Sequence, residues 1–421
     1  LRAAEKCNGS GDCRKTELIG GTMCPSYMAS REENTTTRAR ANILREYITN
    51  SNKSNPLNHK EIYDVLDLCL SCKACKAECP SNVDMAKLKA EFLQHYYDDN
   101  GIPLRTKAIA YITSINRLGS IFPGIFNFFA TNKLLSRSLK KVLGFAPDRS
   151  IPTLGKYTVH SWARRNLKTI NDIQTPGAKE IVVFVDEFTN YNDSDIGVKA
   201  LKLLSALGYR LIIPKTAESG RSFISKGLIR TARKKAEMNI EILKDIVSPE
   251  TPLVGIEPSA ILSFRDEYPE LVREGFRSAA SKIAPNAFML EEFLVAEMEK
   301  NEIKKEMFTS KSLKMKLHGH CQQKAIAGTA ASIKCLEFPE NYTVSEIPSG
   351  CCGMAGSFGY EKEHYDLSQK VGELVLFPSV RESDDDTVIV APGTSCRHQI
   401  KDGTGRRAYH PVEILYDALG D

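Results

Sequence analysis

Cys69, Cys72, Cys75 and Cys79 follow one another as C-x2-C-x2-C-x3-C, and Pro80 comes next. Three thiolates on so tight a loop can wrap one corner of an iron–sulfur cubane, and the proline turns the chain toward another ligand set. In two-cluster ferredoxins the cysteine before the proline serves the other cluster, which leaves a vacancy beside the first three. An upstream Cys-Pro pair, Cys24-Pro25, fills it, so Cys24, Cys69, Cys72 and Cys75 make one complete four-thiolate site for a [4Fe-4S] cluster. Cys79 then joins Cys7 and Cys13 as three ligands for a second site. That site suits a three-iron cluster, a cubane with a non-cysteine or solvent ligand, or no cluster. The stretch NGSGDCRKTELIGGTM at 8–23 has four glycines and no spare cysteine, so no fourth ligand is named by the sequence. Two simpler readings stay open. One is a lone cluster on Cys69, Cys72, Cys75 and Cys79; the other is structural zinc, although zinc sites more often pair two C-x2-C knuckles.

A second group of thiols lies far downstream: Cys321, the adjacent Cys351 and Cys352 in SGCCGMAGSFG, and Cys396. Two consecutive side chains cannot both face one apolar layer, so a Cys-Cys-Gly turn reads as a functional site, its glycines allowing close backbone approach to a metal or cofactor. Of the nearby histidines, only His320 is close enough to Cys321 to be suspected as a ligand. Cys335, in IKCLEF, reads as a small buried hydrophobe.

Helical patterns surround the first group. Thr35 to Thr37 offer a cap for a helix over 38–48, the stretch 50–56 is a loop, and apolar faces run through Ile62–Leu68 and Met85–Leu93. Residues 101–150 carry eight Lys or Arg, one acid (Asp148) and the aromatic knot IFPGIFNFF at 121–129. They read as a linker helix packed under the cysteine-rich domain, or as an interfacial helix on an anionic membrane or partner subunit. From 180 onward strands alternate with helices: strands at 181–186, 210–214 and 253–258, then again at 314–320, 343–347 and 387–393. The expected helices are 196–207 and 226–247 in the first copy, and a stretch after Cys321 and 361–377 in the second. The copies differ in their strand-end loops, where ligands gather in open α/β sheets. The second copy has thiols there; the first has Asp186-Glu187-Phe188, Glu218-Ser219-Gly220 and Ser259-Ala260.

The chain has 421 residues, 26% of them charged, with a net charge of +5, too little to argue for nucleic acid. Its twelve cysteines are clustered, which fits metal binding in a reducing compartment better than a disulfide framework. No apolar run approaches the ~20 residues of a membrane span. The expectation is a cytoplasmic protein, with a peripheral seat on the inner face of the cell membrane kept open. A start at Leu1, without methionine, suggests a processed or excised piece. No Walker-type loop, GxGxxG fingerprint or Ser/His/Asp motif is found in a convincing context.

The stretches CNGSGDCRK and GGTMCPSYMASREE, the CxxCxxCxxxCP motif and the CCG-containing repeat resemble the C-terminal half of flavin-linked D-2-hydroxyacid dehydrogenases, the FAD-dependent D-lactate or D-2-hydroxyglutarate type. They are also similar to the iron–sulfur subunit of glycolate oxidase and to the anaerobic glycerol-3-phosphate dehydrogenase subunit. The resemblance extends over essentially the whole chain. It implies an α+β multidomain protein: a helical ferredoxin-like [4Fe-4S] domain (1–100), a basic helical linker (101–178), a degenerate CCG-type α/β repeat (179–300) and a CCG-type repeat with its cysteine site (301–421). It further implies that FAD on another domain or a partner subunit oxidises the hydroxyacid, while this chain passes electrons to a quinone or cytochrome-type acceptor and holds no catalytic residue. The sequence departs from the family at Cys396-Arg397-His398-Gln399, where C-x2-C is usual, and at ESGRSFISKG (218–227), where the first copy has lost the CCG. Cys321, Cys351, Cys352 and Cys396 are therefore candidates for a single-metal, cluster or thiol site. The alternative function is a heterodisulfide-reductase-like subunit with thiol chemistry at Cys351 and Cys352.

Overall fold

The computed structural model describes residues 2–420. Its N-terminal part is helical. Thr36 accepts the Ala39 N–H at 3.0 Å and so starts the Thr37–Asn50 helix by satisfying one of its orphan donors. Ala41 and Leu44 of that helix share a core with Ile62 and Leu66 of the Lys60–Asp67 helix and with Leu88 and Phe92 of the Met85–Asn100 helix. The cysteine loop 69–79 joins the latter two. The same core takes in Cys321, Cys351 and Phe358 from the other end of the chain. The cysteine-rich helices and the last α/β unit are thus one packing unit.

Two four-stranded parallel sheets follow. The first contains β1 (Glu180–Phe184), β2 (Arg210–Ile212), β3 (Leu253–Gly255) and β4 (Ala287–Met289), in the order β2-β1-β3-β4. The second contains β5 (Leu313–Leu317), β6 (Tyr342–Glu346), β7 (Val388–Val390) and β8 (Ala408–Tyr409), in the order β6-β5-β7-β8. Every neighbouring pair is parallel, so each connection must cross over through a helix. Both sheets have the same order, and six of the eight strands lie where the alternating apolar runs place them. Of the two edge strands, β8 is only two residues long, and β4 runs straight into the apolar Leu290–Glu299 helix, which masks it as a separate run. The helix expected over 361–377 is two, Tyr365–Leu374 and Leu376–Arg381, because Pro378 cannot extend the first.

Residues 101–178 form five helices rather than one: Leu104–Ala110, Ile112–Gly119, Pro123–Thr131, Lys133–Leu143 and Val159–Asp172. They lie largely against the α/β units and only in part against the cysteine-rich helices, which corrects the expectation of a linker helix under that domain. Ala110 joins the cysteine-rich core, but Tyr111 stacks edge-on against Phe223, Ala146 N–H donates to the Tyr360 carbonyl at 2.7 Å, and Arg105 pairs with Glu361 and Glu363. The third and fourth of these helices leave Ile125, Phe128, Phe129, Leu134 and Val142 exposed. Among the described residues, no helix is long and apolar enough to cross a membrane.

Candidate metal centres

Cys24, Cys69, Cys72 and Cys75 line a single cavity together with Arg40, Lys73 and Met85. The backbone around it is bent in a costly way. Cys24 (φ 57°), Ser71 (φ 52°) and Lys73 (φ 64°) all occupy the left-handed region without being glycine, at about 1–2 kcal/mol each. Such strain persists where a ligand or a site over-determines it. Sulfurs here also receive hydrogen bonds: Thr37 N–H donates to Cys24 Sγ at 3.1 Å, Thr37 Oγ1 lies 2.9 Å from it, and Met85 N–H donates to Cys75 Sγ at 3.4 Å. Donors of this kind favour thiolate and tune a cluster's potential. Burial pushes the Cys72 thiol well up and that of Cys75 to about 12, so a bound cationic centre is what would make them thiolate ligands.

Two buried cations stand by. Arg40 is 2% exposed and donates to the Val65 carbonyl and Ser26 Oγ, both at 3.1 Å, with no carboxylate partner among the described residues. Contact with Cys13 and burial raise the Cys24 thiol, and the Arg40 charge works against both by favouring the thiolate. Lys73, within the cysteine loop itself, is 1% exposed and pairs with Asp84, Asp266 and Glu267. The last two belong to the first α/β unit, which thereby buttresses the loop; Lys76 and Lys87 also reach Asp266. The fit to a cubane is good: four thiols, donors to sulfur, and positive charge in a buried cavity.

The remaining N-terminal cysteines are placed less evenly. Cys13 lies against Cys24, whose thiol hydrogen-bonds it and holds it down to about 6. Cys7 and Cys79 are half-buried at the rim of the shared core. Glu78 ties the two cysteine stretches together by accepting from Thr22 N–H at 2.7 Å and Met23 N–H at 3.2 Å.

The downstream thiols converge at the carboxyl ends of β5, β6 and β7. Side-chain contacts run from Cys321 to Cys351, Cys351 to Cys352, and Cys352 to both Cys396 and His318. Hydrogen bonds from Cys351 and Cys396 hold the Cys352 thiol well below its ordinary range, and the Cys351 contact lowers Cys321 to about 7. Gly393 lets this turn close: a Cβ there would run into the His320 ring and stand 3.3 Å from Cys396 Sγ. His320 corrects the sequence-based suspicion. Its Nδ1 accepts the Gln322 N–H at 3.3 Å as the cap of the Cys321–Ile326 helix, and it is His318 that joins the thiols. The two share one strand parity, so alternation alone could not choose between them. Cys335 is fully buried in the apolar core, as expected.

The two thiol groups are neighbours. Cys72 feels the charge of Cys321, and the Cys321–Ile326 helix packs on Ala74–Glu78. Gly350 comes so close to the Cys24 stretch that a Cβ would stand 3.2 Å from Thr22 Cα. One other compact group, Glu361, Glu363 and His364, is an ion-pair knot with Arg105, Lys226 and Asp67.

At the matching loops of the first sheet the side chains are carboxylates engaged in capping. Asp186 accepts from the N–H groups of Phe188 (2.9 Å) and Thr189 (3.0 Å). Glu187 accepts from Ser219 N–H (2.8 Å) and Oγ (2.7 Å), and Glu257 from Ser259 Oγ and Thr394 N–H, both at 2.9 Å.

Residues 6–84, which contain all seven N-terminal cysteines, match the family described as 4Fe-4S dicluster domain. The chain is 26% identical, over 99% of its length, to 44% of D-2-hydroxyglutarate dehydrogenase from Escherichia coli K12. It is 24% identical over 98% of its length to 43% of the Pseudomonas putida protein of that name. It is also 26% identical, over 77% of its length, to 79% of one subunit of the anaerobic glycerol-3-phosphate dehydrogenase from E. coli K12. The chain thus spans less than half the length of the D-2-hydroxyglutarate dehydrogenases it matches. No solved structure matches. The chain is thus similar along nearly its whole length to one part of these dehydrogenases, and its residues 6–84 match a 4Fe-4S dicluster domain.

Proposed function

We propose that this chain is the electron-transfer part of a flavin-linked D-2-hydroxyacid dehydrogenase, taking electrons from FAD on another domain or subunit and delivering them to a quinone or cytochrome-type acceptor. The observation that carries this is the strained cavity lined by Cys24, Cys69, Cys72 and Cys75, inside the dicluster span. A cluster held there supplies a one-electron centre whose potential the protein sets. Cys24, Cys69, Cys72 and Cys75 would hold it; the Thr37 and Met85 N–H groups donate to sulfur, Arg40 offsets thiolate charge, and Lys73 with Asp266 and Glu267 fixes the loop. Cys7, Cys13 and Cys79 are assigned to the second cluster of the dicluster pair.

The equal strand orders support reading 179–300 and 301–421 as two copies of one CCG-type repeat, the first with its ligands replaced by caps. The exposed apolar helices of 123–143, which carry exposed Lys133, Arg137 and Lys141 and no acid, support a contact face for a membrane surface or the flavin partner.

The test is iron and acid-labile sulfide per chain on anaerobically purified protein, with EPR after dithionite. About eight irons and interacting signals are expected for two cubanes, falling to about four in Cys72→Ser. Colourless protein holding only zinc under these conditions refutes the reading.

A further inference from the structure

His318 is fully buried. Its Nδ1 lies 2.7 Å from Ser349 Oγ, and its Nε2 makes no well-formed hydrogen bond, although the Cys352 thiol is in contact with the imidazole. Leaving such a nitrogen alone in the interior forfeits its solvation, a loss that a ligand would make good. Ser349 Oγ also lies 3.5 Å from the Ile347 carbonyl, to which it can donate. It then accepts from Nδ1–H, which fixes the tautomer and leaves the Nε2 lone pair bare. A second-sphere partner of this kind is what orients a ligating imidazole. The imidazole, Cys352 Sγ and Cys396 Sγ bring their ligand atoms within 4.8 Å of one another, and both cysteines are buried. A single zinc with Zn–S bonds of about 2.3 Å needs its ligands about 3.8 Å apart, a short closure from this arrangement.

We propose that His318, Cys352 and Cys396 form a binding site for a single thiophilic divalent ion, zinc or ferrous iron, with Ser349 as the positioning residue and Cys351 beside Cys352 for the fourth position. Charge balance favours it. Two thiolates neutralise a divalent ion, and a third would be matched by Lys324, whose ammonium donates to the Ser349 carbonyl and senses Cys321, Cys351 and Cys396. A multi-iron cluster would have to draw in Cys321 as well, which lies on the side of Cys72 and the N-terminal cavity. Gln399, three residues after Cys396, is turned away and donates to the Ser368 carbonyl at 3.1 Å. The ion would sit next to the Cys72 side of the cluster cavity, since Cys321 links the two thiol groups.

The test uses the full chain, purified anaerobically, with metal analysis, labile sulfide and X-ray absorption at the zinc and iron edges. The expected result is about one ion per chain beyond the cluster iron, with mixed sulfur and nitrogen ligation. Cys396→Ser and His318→Ala should lose this ion while the cluster EPR signals persist, and Ser349→Ala should weaken its retention against a chelator by about 10–100-fold. His318→Cys, which replaces imidazole with thiolate, should restore the ion and guards against misfolding in the alanine variant. Metal content that does not change in these variants overturns the proposal. So does extra labile sulfide that disappears with Cys396, or a Cys321–Cys351 disulfide with no ion. Loss of the cluster signals from the wild-type chain alone would instead count against the electron-transfer reading.

Discussion

The two α/β units share a strand order but put different chemistry at the ends of their strands. In the first, Asp186, Glu187 and Glu257 are occupied with backbone N–H groups and hydroxyls, one of them the Thr394 N–H of the second unit. In the second, four thiols touch one another and a buried imidazole nitrogen makes no well-formed hydrogen bond. The difference teaches that one scaffold can either tie its strand-end groups to partners within the chain or leave such groups open to a ligand. The first unit acts outward instead, through Asp266 and Glu267, on the cysteine loop of the N-terminal helices.

This contrast can be broken most forcefully at Asp266. Asp266→Asn should cost about 3 kcal/mol in urea unfolding, the low end for breaking a buried pair because Asp84 and Glu267 still face Lys73. Burial alone would raise the Asp266 carboxyl, but Lys73 and Lys87 outweigh it and hold the group below its ordinary range. Its contribution is therefore present above about pH 4 and lost as pH falls, which acid unfolding should show as a flatter profile in the variant.

Asp186 should behave in the opposite sense. Burial, with Glu187 and Glu257 nearby, raises its carboxyl to about 8. Its stabilisation is full below about pH 4 and lost as pH rises toward 8. Asp186→Asn should thus gain on the order of 1–3 kcal/mol relative to wild type at pH 8, measured as the change in urea midpoint between pH 5 and pH 8. A smaller loss, about 1–2 kcal/mol, is expected in Ser219→Ala, which leaves a buried Glu187 oxygen unpaired. None of these three should alter the metal content of the second unit.

The comparison is sharpened most finely by Cys335→Ala. That cysteine belongs to the second unit but not to its site, so the substitution should cost about 1 kcal/mol and leave every metal in place. If it removed an ion, the division between packing thiols and ligand thiols would fail.

Much of this is legible from residue order. The parallel strands β1 and β5 declare themselves in IVVFVD and KMKLHGH, because buried strands are continuous apolar runs and half-buried ones alternate. The cavity cysteines declare themselves by spacing. Their supports do not: Arg40 sits inside an ordinary helical pattern, and the carboxylate of Asp266 reaches Lys73 from 193 residues away. The helix Val159–Asp172 is hidden in a stretch that reads as linker, its apolar face carried by few residues. His318 and His320 can be told apart only by what surrounds them, since a cap needs a helix start and a ligand needs converging thiols.

His364 Nε2 and Asp67 Oδ2 meet at 2.7 Å across 297 residues of chain. At about 5–20 residues per second, a ribosome would need roughly 15–60 s to reach the second partner after making the first. Through that interval Cys69, Cys72 and Cys75 stand without the wall that Cys321 and Cys351 later provide. The place of the last unit in the chain thus sets how long the cysteine loop lacks that wall during synthesis.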